Sequence, residues 1–379
     1  MPHGKGEGAE TNTPARYLVG SAEKIRPAVA EMRRAIRQKT ESVFYVRDGR
    51  FAAVPFFNTL CHKNTFFGLG GKRFPPAGYG GTDMKNTIFR GAATAIVTPF
   101  SDGAVDYAAF ADMIEWQIAE GIDAIVVAGT TGEGSTLTDD EHKEVLRFAT
   151  EQIAHRVPVI AGTGSNDTAY AIELTEYACG IGADAMLLVT PYYNKATQNG
   201  LIASFRAIAD ASTKPCILYN VPGRTGCNLL PASAAVLADH EKIVAIKEAS
   251  GNISQIAELF ALCGDRMDVY SGNDDQIVPV LSLGGAGVIS VLSHVLPKET
   301  AALCRDWFEG RVKDAAAAQL RYLPLIDALF SEVNPIPVKA ACAAMGLCKN
   351  ELRLPLTPME AEHEAHLLAE MKKAGIRLA

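Results

Sequence analysis

Short apolar runs alternate with helix-like segments along most of the chain. Eight runs of β-type residues begin 19 to 33 residues apart, at 92–98, 124–128, 157–162, 185–189, 216–220, 243–247, 268–271 and 287–291. The intervals carry amphipathic stretches; in the first of them, four apolar residues fall on one helical face, namely Phe110, Met113, Ile114 and Ile118. Strands that are buried on both faces have continuous apolar runs of this kind. Eight strand–helix units over residues 84–295 therefore predict an α/β fold, a (β/α)8 or TIM barrel, with a doubly wound parallel sheet as the alternative.

The segments on either side of the predicted barrel have a different character. Residues 296–379 are helix-like and rich in Ala and Leu, which predicts a C-terminal helical subdomain. Residues 1–83 contain three weaker features, a candidate basic helix, a candidate hairpin that turns at Asp48-Gly49 and a Gly/Pro-rich stretch (22–39, 42–57 and 68–81). We expect residues 1–83 to be an N-terminal extension that is disordered or lies upstream of a true start at Met84. A functional module with an unknown partner is the alternative.

Charge and cysteine content narrow the classes of function. Residues 1–83 carry 13 Lys and Arg against 7 Asp and Glu, whereas residues 84–379 carry 23 against 36, and the whole chain has a net charge of −7. This balance argues against a general nucleic-acid-binding protein, which needs a basic surface. The eight cysteines form no C-x-x-C pair and no cluster with metal-ligand spacing, so we expect reduced thiols. The sequence shows neither a membrane-spanning run nor a secretory signal, and we expect a cytoplasmic location.

Lys247 is the candidate residue that indicates a reaction type. In a (β/α)8 barrel the functional side chains lie where strands end, and Lys247 ends the sixth run, 243–247. Period-two alternation predicts that Ile243, Ala245 and Lys247 share the face that lines the barrel. Apolar surroundings disfavour an ammonium ion and favour the neutral amine that attacks a carbonyl carbon. The alternative is a lysine that reaches solvent or pairs with a buried acid.

Other strand ends supply partners for such an amine. Alternation sets Ile217 and Tyr219 on one face of the fifth run, so an inward Tyr219 could relay protons. Thr130 and Thr131, flanked by glycines, offer hydroxyls and backbone N–H groups to a small carboxylate; a capped glycine turn is the alternative. The loop is neither a P-loop nor a dinucleotide-binding motif.

Two further features are ambiguous when taken alone. Tyr192-Tyr193 is typical of interface or core packing. Arg224 lies in a Pro/Gly-rich loop, where its guanidinium could be an exposed charge or could hold a carboxylate through two hydrogen bonds. The sequence has no H-E-x-x-H, G-x-S-x-G or acidic metal-binding cluster that would support a metal or serine mechanism.

The strings around these residues resemble the dihydrodipicolinate synthase family from about Phe89 to the C-terminus. They are GTTGEGSTL (129–137), VIAGTGSN (159–166), VTPYYNK (189–195), LYNVPGRTGCNL (218–229), IKEASGN (246–252), GGAGVISV (284–291) and NPIPVKAA (334–341). The resemblance implies a Schiff-base-forming lyase that condenses pyruvate with L-aspartate 4-semialdehyde on the diaminopimelate and lysine route. It implies no metal or organic cofactor, no nucleic-acid or membrane partner, and a homotetramer built as a dimer of dimers, although the sequence does not decide between dimer and tetramer.

The resemblance also implies roles for individual residues. Lys247 would form the imine, and Tyr219 would donate and accept protons in a relay with Thr130 and Tyr193. The family places the tyrosine equivalent to Tyr193 across a dimer interface, in the site of the neighbouring subunit. Pyruvate and the semialdehyde would be held by a second group of residues, namely Thr131, Gly272, the backbone of Ile289 and, for the semialdehyde carboxylate, Arg224.

Some positions depart from the family pattern. The string at 271–274 reads Ser-Gly-Asn-Asp in place of Ser-Gly-Asp-Asp. His142, Asn166 and Tyr192 match residues that bind lysine in feedback-inhibited members. Tyr170, however, stands where those members carry a glutamate, and Asp139 stands where histidine is frequent. Because a carboxylate for the ammonium group of the inhibitor is lost, we expect weak or no inhibition by lysine.

The sequence is compatible with two alternative functions. A sister pyruvate aldolase, such as N-acetylneuraminate lyase or a 2-keto-3-deoxy sugar acid aldolase, would share Lys247, Tyr219 and the threonine pair. Arg224 within VPGRTG favours the synthase over these relatives. A catalytically silent barrel with a binding or regulatory role is the second alternative, and the joint presence of all the candidate residues argues against it.

Overall fold

The computed structural model describes residues 87–379 and, before them, four short strands. Ser42–Arg47 pairs antiparallel with Arg50–Pro55, in agreement with the predicted hairpin. Phe66–Phe67 pairs with Arg73–Phe74. The Asp48-Gly49 turn, the candidate helix at 22–39 and the boundary at Met84 lie outside the described residues.

Eight parallel strands close into a barrel, which confirms the predicted fold. The strands are Gly91–Ala95, Ala124–Val127, Val159–Gly162, Ala185–Val189, Cys216–Asn220, Ile243–Glu248, Asp268–Ser271 and Gly287–Ser290. Each pairs with its neighbour in chain order, and the eighth pairs with the first, Gly287 opposite Gly91. A small hairpin of Phe100–Ser101 and Ala104–Val105 follows the first strand. Because the strands are parallel, all their carboxyl ends open at one mouth.

Helices connect the strands and continue beyond the eighth one. Those up to the seventh strand are Tyr107–Ala119, Asp139–Ile153, Thr168–Gly180, Gln198–Ala211, Pro222–Thr225, Pro231–Leu237 and Ile253–Cys263. Between the last two strands lie a short 3-10 turn, Asp274–Gln276, and the helix Ile277–Ser282, and a second 3-10 turn, Leu292–His294, follows the eighth strand. The C-terminal helices are Pro297–Phe308, Val312–Leu329, Ile336–Ala344 and Ala361–Lys373. Within the part of the chain that is described, no helix is both long and apolar enough to span a bilayer.

Two apolar layers hold the barrel together. The outer layer lies between strands and helices and includes Phe110, Met113 and Ile114, as the helical periodicity predicts. The inner layer fills the barrel and includes Ile217 and Tyr219, so the fifth strand alternates as expected.

The sixth strand departs from strict alternation. Ile243 packs in the outer layer, whereas Val244 and Ala245 both pack in the inner one, so the prediction that Ile243 lines the barrel is wrong. The cause is a bulge, since Cys216 lies opposite Ile243 but Ile217 lies opposite Ala245, which leaves one extra residue in the sixth strand. Beyond the bulge the register is regular, and Lys247 lies opposite Tyr219.

Candidate active site

The amine of Lys247 lies at the mouth of the barrel, against the ring of Tyr219. Both side chains are buried, and the Lys247 Nζ is 4.3 Å from the centroid of the Tyr219 ring. Gly272 follows the neighbouring strand, and a Cβ there would come within 3.1 Å of the Lys247 Cε and 2.7 Å of the Ala249 Cβ. Glycine at 272 thus leaves the space that the lysine side chain occupies. The predicted pair of Lys247 and Tyr219 is brought together here.

The eighth strand borders the same space and is anchored by Asp274, a residue of the 271–274 string to which the sequence assigned no role. Ile289 is fully buried in the inner layer. Asp274, also buried, accepts hydrogen bonds from the backbone N–H groups of Val291 and Leu292 at 2.9 and 2.8 Å. Burial raises the pKa of the Asp274 carboxyl, while hydrogen bonds from Ser290 and these N–H groups, and the charge of Lys247, act in the opposite direction. Asp274 therefore fixes the end of the strand that carries Ile289.

The loop after the second strand presents Thr130 and Thr131 differently. Thr130 is exposed and lines a cavity together with Tyr219. Thr131 is buried, and its hydroxyl oxygen accepts a 2.9 Å hydrogen bond from the side-chain amide of Asn334. Glu133 closes the turn by donating its backbone N–H to the carbonyl of Thr130 at 3.1 Å. The two threonines thus present their side chains in two different environments.

A cavity of about 440 Å³ connects the barrel mouth with the predicted lysine-binding region. Thr130, Tyr219 and Arg224 line one part of it. The other part is lined by Asp139, His142, Tyr170 and Tyr192. Asn166 lies beside this region, where its carbonyl accepts a 2.9 Å hydrogen bond from Asn194. Thr130, Tyr219 and Arg224 therefore share one cavity with His142 and Tyr192 of the predicted lysine-binding region.

The two residues that depart from the lysine-sensitive pattern interact with each other. Burial, and then a hydrogen bond with the Asp139 carboxylate, raise the pKa of Tyr170 to about 12. His142 is buried with its Nε2 at 3.0 Å from the carbonyl oxygen of Gly162, and burial lowers its pKa. The region thus retains one carboxylate, at position 139, and the Tyr170 hydroxyl engages it.

Tyr193 is set apart from the other proposed members of the proton relay. Its side chain is 90% exposed, and its φ of +71° lies in the left-handed region that non-glycine residues rarely adopt. The structure does not place Tyr193 with Tyr219 and Thr130 in this chain, since Tyr192 is the residue of this pair that lines the cavity. The Tyr193 side chain is therefore exposed to solvent and is not part of the cavity lining.

A buried ion pair lies behind the threonine loop, and sequence reasoning assigned it no role. The ammonium of Lys339 pairs with Glu133, and their side chains are 0% and 1% exposed. The second Glu133 oxygen accepts the backbone N–H of Arg353 at 3.0 Å. Lys339 also lies 4.2 Å from the centroid of the Phe100 ring, a cation–π contact. The only available signal was the NPIPVKAA string, which contains Lys339 without indicating its partner.

Comparison with known proteins identifies the family. Residues 88–374 match the model of the dihydrodipicolinate synthetase family. The 4-hydroxy-tetrahydrodipicolinate synthase of Lachnoclostridium phytofermentans is 56% identical over 291 residues, which cover 76% of this chain and 99% of that protein.

Solved structures agree in fold and in sequence. The chloride-inhibited dihydrodipicolinate synthase of Acinetobacter baumannii, complexed with pyruvate, is 44% identical with a TM-score of 0.75, over 77% of this chain and 100% of that one. The enzyme of Cyanidioschyzon merolae with lysine bound is 42% identical with a TM-score of 0.75, over 76% and 99% of the two chains. The chain belongs to the dihydrodipicolinate synthetase family.

Proposed function

We propose that this chain is a 4-hydroxy-tetrahydrodipicolinate synthase, a lyase that condenses pyruvate with L-aspartate 4-semialdehyde through an imine on Lys247. The observation that carries the proposal is the buried Lys247 amine, 4.3 Å from the Tyr219 ring at the mouth of the barrel. The relatives named 4-hydroxy-tetrahydrodipicolinate synthase match over almost their whole length, and one solved relative is complexed with pyruvate.

Imine formation requires a free amine and a route for protons. The Lys247 nitrogen attacks the keto carbon of pyruvate, a C=N bond forms and the keto oxygen leaves as water. Protons must move at the nitrogen and at the departing oxygen, so a hydroxyl close to both serves as donor and acceptor. Tyr219 lies opposite Lys247 in the barrel and takes this role, with Thr130 beside it in the cavity.

The remaining residues hold the two substrates. Thr131, Gly272 and the backbone of Ile289 would hold pyruvate; Gly272 borders the Lys247 side chain, and Ile289 belongs to the inner layer of the barrel. Arg224 is exposed at the cavity wall, where its guanidinium can form two hydrogen bonds with the carboxylate of the semialdehyde. A 2-keto-3-deoxy sugar acid aldolase would need polyol-binding groups at this wall instead, and we therefore favour the synthase.

Tyr193 links the proposal to the oligomeric state. We infer a homotetramer made of two dimers in the cytoplasm, with Tyr193 entering the site of the neighbouring subunit to complete the relay. The 90% exposure and the positive φ of Tyr193 support this inference, because an aromatic side chain held outward in an unfavourable backbone conformation suits contact with another subunit.

Borohydride trapping tests the chemistry. With pyruvate and sodium borohydride the chain should gain the mass of one reduced pyruvate adduct per protomer, on the peptide that contains Lys247. Lys247→Ala, as the matched control, should gain none. An unlabelled Lys247 in the folded wild type would refute imine chemistry and would favour the alternative of a barrel with a binding or regulatory role and no catalytic activity.

A coupled assay then decides between substrates. We expect turnover of pyruvate and L-aspartate 4-semialdehyde when the product is consumed by the reductase that follows in the pathway. We expect no turnover of N-acetylneuraminate. Arg224→Ala should raise the KM for the semialdehyde and leave the KM for pyruvate nearly unchanged. Efficient cleavage of a sugar acid by the wild type would assign the chain to the sister aldolases.

A further inference from the structure

The C-terminal segment contacts the threonine loop at the centre of the proposed site. Asn334 is buried, and its side-chain nitrogen donates a hydrogen bond to the Thr131 hydroxyl oxygen across 203 positions of the chain. We propose that Asn334 is a positioning residue, which directs the Thr131 hydroxyl proton toward the carboxylate of the keto acid. This inference rests on the proposed function.

The direction of the hydrogen bond is the basis of the inference. A threonine hydroxyl has one proton to donate and two lone pairs that accept. In the amide orientation of the structure the Asn334 nitrogen faces Thr131, and the Asn334 oxygen is buried with no hydrogen-bond partner among the described residues. Because an amide nitrogen can only donate, the Thr131 oxygen accepts, and the hydroxyl proton is left for another acceptor. Within residues 87–379, the Asn334 amide is the hydrogen-bond partner that the structure shows for this hydroxyl. A substrate carboxylate would be the second partner, through a charge-assisted bond.

The backbone that carries Thr131 is held on three sides, so its side chain has a defined location. Thr98 of the first strand region donates its hydroxyl to the carbonyl of Gly132 at 2.7 Å. Glu133 adopts a φ of +52°, and its carboxylate is bound by Lys339 and by the Arg353 N–H. A non-glycine residue in this conformation persists where its surroundings hold it. Rotation of the hydroxyl is the freedom that remains, and the hydrogen bond from Asn334 restricts it.

Asn334→Asp reverses the proposed polarity with little change in size. A carboxylate at 334 would accept the Thr131 proton and turn it away from the substrate. We expect the KM for pyruvate to rise about 10- to 100-fold, with an unchanged KM for the semialdehyde. The Tm should also fall, because position 334 is buried and the new carboxylate has no cationic partner there. If the Asn334 amide were flipped in solution, so that its oxygen faced Thr131, the aspartate would mimic it and pyruvate binding would be retained. That outcome would overturn the proposal.

A double-mutant cycle separates hydroxyl orientation from simple charge repulsion. Thr131→Val removes the hydroxyl and keeps the shape of the side chain. If orientation is the cause, Asn334→Asp should raise the KM for pyruvate at least 5-fold less in the Thr131→Val background than in the wild type. Effects that multiply independently would show that the aspartate merely repels the substrate, and would refute the role of Asn334.

A second variant keeps the test decisive if the aspartate prevents folding. Asn334→Ala leaves the hydroxyl free to rotate and should raise the KM for pyruvate about 3- to 10-fold. A folded Asn334→Ala enzyme with wild-type pyruvate KM would refute the proposal. Failure of the proposed function is distinguished by the wild type itself, which in that case would give no borohydride-trapped pyruvate adduct.

Discussion

The buried pair of Lys339 and Glu133 allows a stability prediction whose size follows from the structure. Lys339→Met removes the cation and leaves a carboxylate that is 1% exposed with the Arg353 N–H at 3.0 Å as its remaining donor. Breaking a fully buried pair in this way costs about 3–5 kcal/mol. An unfolding entropy of roughly 2.1 cal/mol/K per residue, taken over residues 87–379, makes each kcal/mol equivalent to about 1.6 °C. We therefore expect the Tm to fall by about 5–8 °C.

The matched control removes both charges. Glu133→Gln combined with Lys339→Met keeps an oxygen for the Arg353 N–H and leaves no unpaired charge, and buried pairs replaced by neutral groups of similar volume are often as stable as the original. The double variant should regain at least half of the lost Tm in thermal unfolding at pH 7. A single variant within about 2 °C of the wild type, or a double variant no more stable than the single one, would refute this account of the pair.

Three further outcomes are expected. Lysine should inhibit the enzyme weakly or not at all, because Tyr170 replaces the usual carboxylate and forms a hydrogen bond with Asp139. The double substitution Tyr170→Glu and Asp139→His should create inhibition by lysine. Strong inhibition of the wild type at sub-millimolar lysine would contradict this prediction. Tyr193→Phe and Lys247→Ala should each be inactive alone, yet mixed and reassembled subunits should regain activity; no recovery in verified hybrids would argue against a Tyr193 that crosses the interface. A hydrogen bond from Arg353 lowers the pKa of Glu141 to about 2. The stabilisation from the Glu141–Arg353 pair is therefore fully present above the unfolded pKa of Glu141, near 4.5, and is lost as the pH falls toward 2. The difference in Tm between Glu141→Gln and the wild type should disappear over that range. A difference in Tm that stays constant with pH would show that the pair is not its cause.

The barrel and its central amine followed from local sequence patterns. Strands buried on both faces must be apolar throughout, and eight such runs separated by amphipathic stretches leave few parallel folds available. Because parallel strands share one orientation, residues near the ends of the fifth and sixth runs had to meet at one mouth, as Tyr219 and Lys247 do. The lysine alone indicates imine chemistry on a carbonyl substrate, and the strings that resemble the family indicated which condensation reaction to expect.

Tertiary structure decided the features that depend on distant parts of the chain. The extra residue at Val244 moved Ile243 out of the barrel lining, because a bulge changes register without changing the apolar character of the run. The pairing of Glu133 with Lys339 spans 206 positions, and no local periodicity indicates which buried acid a buried lysine will meet. The loop of Thr130 and Thr131 was visible in the sequence, but its fixation by the C-terminal segment arises only when the folded chain brings the two together, since hydrogen bonds and ion pairs depend on distance in space and not along the chain.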